Sequence, residues 1–222
     1  MRSSSVIPAI SGRHFSEISA KIDLVADFVE WVHIDIADGE FGSPASWPYA
    51  QGGIDRAVKE MQTLLLHHPN LSIELHLMVS DPSIYLQIWK ELPIKRFLIH
   101  AESKNCHQII SQLKSCGFGS GIVLNFQTPV EIVSEFKEET DYFQLMAIKS
   151  IGHYGEKFDT GVLARIRKLR EILPGAIISV DGGLNSEFAS DSRLAGANQI
   201  VAGSAIFKSN DSRLAIKSFS IN

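Results

Sequence analysis

Short runs of Val, Ile and Leu recur along the chain and alternate with longer amphipathic stretches. The runs are Val6–Ile10, Phe28–Ile36, Ser72–Val79, Arg96–Glu102, Gly121–Phe126, Tyr142–Ile148, Ala176–Asp181 and Gln199–Ala202. They are apolar almost without interruption, as strands buried on both faces must be. Between them Asp55–His67, Pro82–Glu91, Lys104–Ser115, Pro129–Glu138 and Gly161–Leu173 read as helices. In the last of these, Val162, Ile166, Leu169 and Leu173 share one face at 3–4 spacing, while Arg165, Lys168 and Glu171 lie elsewhere. Eight buried strands alternating with helices predict a parallel sheet with crossover connections. Eight is also the number that closes a barrel.

The polar residues choose between a barrel and an open doubly wound sheet. Nearly every run ends in a polar cluster: HIDIADG, ELHLMV, LIHAES, VLNF, SVDGG, VAGS. A barrel gathers its strand C-termini around one mouth, whereas an open sheet offers a single crevice. The prediction is therefore an α/β fold, a (β/α)8 TIM barrel, with residues 1–222 as one domain. A chain of 222 residues suffices for a minimal barrel, and no low-complexity stretch or linker divides it.

Charge narrows the partners. The formal net charge is −4, with no long basic run, so neither nucleic acid nor an anionic membrane is expected as a partner. No stretch approaches the length of a membrane span, and the opening MRSSSVIPAI is too short in apolar residues for a signal peptide. Cys106 and Cys116 fit neither a zinc-knuckle spacing nor a disulfide framework, and read as reduced thiols. A cytoplasmic protein is expected.

Candidate chemistry lies at the strand ends. His33 and Asp35 are two apart on a strand and so share a face, as do His76 with Met78 and His100 with Glu102. Asp181 ends the seventh run. Buried charge is costly unless paired or bound to a metal, and two His with two Asp suit a zinc- or iron-like divalent ion. Taken singly, each would read as a hydrogen-bonded rim residue; together, from separate strand ends, they read as a site. His100 reads as a core histidine held by Glu102, and His67, His68, His107 and His153 as surface residues. Two late segments, VDGGLNSE and VAGSAIF, each end a strand and open a helix. Gly182, Gly183, Gly203 and Ser204 could let backbone N–H groups approach a phosphate there, where barrels often carry such a site.

These motifs together resemble the ribulose-phosphate 3-epimerase family over nearly the whole chain. HIDIADGEF is similar to its His-x-Asp-x-Met-Asp-Gly-x-Phe signature, and ELHLMVSDP to its His-Leu-Met-Val segment. HAES, LNFQTPVE, ISVDGGLN and AGANQIVAGSAIF follow in the family's order. The resemblance implies a barrel of the ribulose-phosphate-binding type. It implies that His33, Asp35, His76 and Asp181 ligate one divalent ion (zinc, iron, manganese or cobalt), with Asp35 and Asp181 also the proton-transfer pair. Substrate would be a sugar phosphate, contacted by Met78, Met146, Gly155 and the late glycines. Self-association into a homo-oligomer is implied as well.

The sequence departs from the family around the substrate. Ala9 stands where the family has serine, with Ser11 two positions on. Ala37 replaces a methionine, and Gly42-Ser43-Pro44 replaces Val-Pro-Asn. The family's Pro-Gly-Phe-Gly-Gly-Gln loop is here Lys149–Phe158, one residue longer and without the glycine pair; Lys149 or His153 could offer positive charge instead. The expected activity is metal-dependent inversion at C3 of a ketose phosphate, D-ribulose 5-phosphate/D-xylulose 5-phosphate or a close relative, through an enediolate. The alternatives are a 3-epimerase of a hexulose 6-phosphate such as allulose 6-phosphate, and a phosphometabolite-binding barrel without turnover. A decarboxylase or aldolase on a similar phosphate-binding barrel is a weaker reading; a Schiff-base aldolase needs a strand-end lysine, and Lys149 alone is placed for that.

Overall fold

The structure, a computed structural model, describes residues 6–219 apart from 52, 84, 85, 88, 89, 91, 93, 153 and 154. Eight strands are β1 Val6–Ile10, β2 Trp31–Ala37, β3 Ser72–Met78, β4 Arg96–His100, β5 Gly119–Leu124, β6 Tyr142–Met146, β7 Ile177–Asp181 and β8 Gln199–Ala202. All pair in parallel with their neighbours, and β8 closes on β1 through Val6↔Ile200, Ile7↔Val201 and Pro8↔Ala202. The predicted barrel is therefore present. Its helices are α1 Phe15–Asp23, α2 Gly53–His67, α3 Cys106–Ser115, α4 Gly161–Ile172, α5 Ser186–Ala195, α6 Ser204–Phe207 and α7 Ser212–Ser218.

Strand alternation sorts the apolar residues into two environments. Outward side chains such as Ile34, Ile36, Leu75, Leu77, Ile99 and Val180 form the main core with Ile18 and Ile22 of α1, Met61 of α2, Ile109 of α3 and Ile166 of α4. Inward side chains form two small clusters, Ile7–Ala9–Val201 and Leu98–Val123–Tyr142–Met146–Ile148. The rest of the barrel interior is polar: His33, Glu74, His76, His100, Gln144 and Ser179 are fully buried. A packed barrel interior is normally dominated by branched aliphatics. The polar column is thus the feature that packing does not account for.

Local chemistry sets the helix ends. α5 starts where the Asn185 side chain accepts from the Phe188 amide, and stops at Gly196, whose φ of +118° is a left-handed cap. Arg170 of α4 donates to the carbonyls of Pro174, Ala176 and Gly196, which ties the helix to the loops around β7 and β8.

Three differences from the sequence reading have physical causes. The expected helix over Pro129–Glu138 is a 3-10 segment, Val130–Glu135. Its apolar residues Val130, Val133 and Phe136 fall three apart, the period of that tighter helix. β2 begins at Trp31 rather than Phe28, because the amides of Ala26 and Phe28 close turns onto Ile22 and Val25. α1 escaped notice, although Ile18 and Ile22 are four apart and both buried. Much of the helix expected at Pro82–Glu91 lies outside the described residues.

Candidate metal centre and substrate cleft

Register alone assembles the polar cluster. β2 and β3 pair over seven residues, which sets Asp35 beside His76, and β6–β7 pairing sets Met146 beside Asp181. Four ligand atoms, one each from His33, Asp35, His76 and Asp181, lie within 4.8 Å of one another. His76 Nδ1 is 2.9 Å from Asp35 Oδ1 and 3.7 Å from Asp181 Oδ2. His33 Nε2 is 3.2 Å from Asp35 Oδ1 and 3.8 Å from Asp181 Oδ2. Neither contact has hydrogen-bond geometry, so this buried nitrogen has no hydrogen-bond partner among the described residues.

Each histidine is held from behind. His33 Nδ1 is 2.7 Å from Glu74 Oε1, and Glu74 is fully buried. His76 Nε2 is 2.9 Å from His100 Nε2, and His100 Nδ1 is 3.3 Å from Glu102 Oε2. Glu102 in turn accepts from the Asn125 amide and the Thr128 hydroxyl. If each outer nitrogen carries the proton, both inner lone pairs, Nε2 of His33 and Nδ1 of His76, face the carboxylates. Histidines that ligate metals are oriented in this way.

The electrostatics run in the same direction. Burial alone would raise Asp35, but the closely placed His33 and His76 outweigh it and hold its carboxyl well below the usual range. Burial first, then the negative charge of Asp35, pushes Asp181 up to about 7. Burial would lower His33, yet Asp35 and Glu74 drive it well upward. Burial, with the neighbouring His33 and His100, pushes His76 down to about 3. The negative charges of Asp35 and Glu74 thus favour protons on both His33 and Asp181. A divalent cation is the natural replacement for them, and the donor set suits one.

Above the cluster a cleft opens, lined by Ala9, Ser11, Asp35, Ala37, Met78, Met146, Ile148 and Asp181. On its far side stand Gly152, Gly155, Glu156, Gly182, Gly183, Gly203 and Ser204. All the expected substrate positions, and Ser11, therefore border one space. Lys149 does not. Its Nζ pairs with Asp159 at 3.1 Å and the side chain is 61% exposed, away from the cleft. The expectation for His153 lies outside the described residues. His68 pairs with Asp23 and His107 with Glu135, as non-site histidines should.

The late glycines have a packing reason besides any ligand. Gly182 and Gly183 have φ of +110° and +67°. A Cβ on Gly182 would sit 2.8 Å from Ile148, and one on Gly183 would fall on the Phe158 amide and 2.8 Å from the Glu156 carbonyl. These glycines let the β6 and β7 loops lie against each other. They precede α5 rather than open it, since its N-cap is Asn185.

Three residues that touch the cluster or the cleft rim are not picked out by sequence alone. Glu74 follows two strand positions before His76, so parity could have placed it inside the barrel. His100 was read as held by Glu102, which it is, but its bond to His76 needs the fold. Lys208 has its Nζ 3.5 Å from where a Cβ on Gly155 would be, at the rim of the cleft.

Comparison with known proteins agrees with this geometry. The chain matches the model of the ribulose-phosphate 3 epimerase family over residues 5–207. It is 30% identical to ribulose-phosphate 3-epimerase of Helicobacter pylori, covering 96% of this chain and 94% of that one. It is also 30% identical to the Bacillus subtilis enzyme of that name, covering 95% of each. The cytoplasmic isoform from rice, Oryza sativa, is 31% identical over 91% of this chain and 86% of its own. Among solved structures, 3-hexulose-6-phosphate synthase from Salmonella typhimurium superposes with a TM-score of 0.73 at 17% identity, over 97% and 96% of the chains. Orotidine 5'-phosphate decarboxylase from Pyrococcus horikoshii does so at 0.66 and 17%, over 96% of each. These two likenesses speak for the barrel alone. With the family matched over residues 5–207, and the cluster and cleft in place, the chain belongs to the ribulose-phosphate 3-epimerase family and is an isomerase of that kind.

Proposed function

We infer that the protein inverts C3 of a ketose phosphate, D-ribulose 5-phosphate/D-xylulose 5-phosphate or a close relative, with a divalent metal at the His33–Asp35–His76–Asp181 cluster. The observation that carries this is the meeting of that cluster with the glycine-lined cleft directly above it. A bound divalent cation would supply Lewis-acid stabilisation for the negative oxygens of an enediolate. Asp35 takes the proton from one face of C3 and Asp181 returns one to the other, the simplest way to invert a carbon beside a ketone. Amides around Gly182, Gly183, Gly203 and Ser204, with the charge of Lys208 at the rim, hold the phosphate and so fix the reacting carbon. Met78 and Met146 wall the cleft. Cys106 and Cys116 are both free, which fits a reducing cytoplasm.

A second reading has its own observation. Ala9 and Ala37, which stand where the family pattern has serine and methionine, line the cleft. The shorter side chains leave room for one more carbon, which favours a hexulose 6-phosphate. A binding protein without turnover is disfavoured, because holding a phosphate needs only the cleft rim and gives no use to a costly buried cluster of carboxylates and histidines. The test is solvent-deuterium incorporation at C3 across a panel of pentulose and hexulose phosphates, with metal-replete protein. Exchange with a pentulose phosphate supports the first reading, and exchange with hexuloses alone the second. No exchange with any of them would refute both.

A further inference from the structure

The strand starts at the opposite end of the barrel form a layer of their own. Trp31, Arg96, Tyr142 and Gln199 are the first residues of β2, β4, β6 and β8. Alternate strands supply one such layer in a barrel, ordinarily with aliphatic side chains. Here the layer contains a guanidinium. Arg96 lies between two rings, 3.8 Å from the centroid of Tyr142 and 4.7 Å from that of Trp31. Its Nη1 is 3.1 Å from Glu74 Oε2 and 3.5 Å from Gln199 Oε1, which also accepts from the Tyr142 hydroxyl at 2.8 Å. Only 13% of the Arg96 side chain is exposed, and none of Glu74. Gly121 makes space for this arrangement, because a Cβ there would sit 2.5 Å from the Tyr142 ring.

We propose that Arg96 is a positioning residue for the metal centre, acting through Glu74 on His33. Glu74 uses its two oxygens in opposite directions, Oε1 to His33 Nδ1 and Oε2 to Arg96. The planar guanidinium, clamped by two aromatic faces, fixes where that carboxylate sits. The carboxylate fixes the His33 ring so that, in its neutral form, the Nδ1 hydrogen points outward and the Nε2 lone pair faces Asp35 and Asp181. A buried carboxylate without such a partner would be strongly unfavourable. The two ends of the barrel interior are therefore linked through one chain of contacts.

This inference rests on the metal-centre reading, and the experiment separates the two. Co(II) binding is measured by visible absorption and chelator competition, alongside the tautomer of His33 by 15N NMR of the Zn(II)-loaded protein, in which the ring carries a single proton. If the wild type binds no Co(II), the metal-centre reading fails and this inference with it. If it binds, E74Q and R96M should each weaken Co(II) by roughly 10–100-fold, the usual effect of removing an outer-shell partner. R96M should also populate the other His33 tautomer, R96K should recover part of the affinity, and E74Q/R96M should be no weaker than E74Q. Wild-type Co(II) affinity and tautomer in a folded R96M overturn the inference, even with a lowered Tm, because they make Arg96 a structural plug only. Should R96M not fold, R96Q takes its place: weakening below R96K supports the link, and affinity equal to wild type overturns it.

Discussion

The two sides of the cleft are built differently. On one side, His33, Asp35, His76 and Asp181 stand on strands whose pairing fixes every Cα by register. Their outer atoms are held in turn by Glu74 and by His100 with Glu102. On the other side, the candidate phosphate contacts belong to loops after β6, β7 and β8, and what holds those loops is mutual contact. Ser43 N donates to the Ile151 carbonyl at 3.3 Å, and a Cβ on Gly152 would sit 2.7 Å from Ser43 backbone atoms. The two segments that depart from the family pattern, Gly42–Pro44 and Lys149–Phe158, thus touch one another. Under the proposed function the acid–base cluster and the phosphate contacts therefore rest on separate supports, and each should be open to disturbance without the other.

The largest disturbance should come from the strand side. Asp35→Asn and Asp181→Asn should each reduce net epimerisation by roughly 10²–10⁴-fold, the range for losing a positioned acid or base. Each should leave the barrel folded, since amide and carboxylate are close in volume. Steady-state rates with C3 deuterium exchange measure this. Exchange without inversion in one variant would identify the face that its partner serves. Full activity in either would remove the two-base assignment.

On the loop side the effects should be smaller and should fall on KM. Gly183→Ala places a methyl on the Phe158 amide at a φ of +67°, a conformation that costs about 1–3 kcal/mol for a residue with a side chain. Tm should fall and KM rise about tenfold or more, with Co(II) affinity at the wild-type value. Gly152→Ala, at φ +88° against Ser43, should part the two departed loops and raise KM by less. A loss of metal affinity in either variant would show that the two sides are not separate after all.

The same division governs what the sequence made legible. Strand residues were readable because alternation gives the facing of a side chain without knowledge of neighbours. His33, Asp35, His76 and Asp181 could be grouped once their runs were known to share a mouth. Glu74 obeys the same parity, but it lies mid-strand, away from the polar strand ends that mark the mouth. Loop residues lack such a period. Lys149 was a reasonable candidate for charge near a phosphate, but Asp159, ten residues on, turns it outward. Lys208 sits after α6 and meets Gly155 only through the fold, so no local pattern announces it. His100 shows the middle case: its intra-strand partner Glu102 was evident, its cross-strand partner His76 was not.

Lys208 offers the finest test of the comparison. Its charge stands at the rim and its side chain is exposed, so water and salt screen it. Exposed charge pairs contribute little, and Lys208→Met should therefore raise KM for a sugar phosphate only about two- to fivefold, leaving kcat unchanged. The salt dependence decides whether the effect is electrostatic. In wild-type protein KM should climb with ionic strength; in Lys208→Met it should climb less, so that the two curves converge at high salt. The inhibition constant of inorganic phosphate should follow the same pattern, because it reports the anion without the sugar. If the variant instead keeps the wild-type KM and salt slope, the phosphate is held by loop amides alone. The loop side would then act through backbone placement, as the strand side does, and differ only in having contact rather than register to set it.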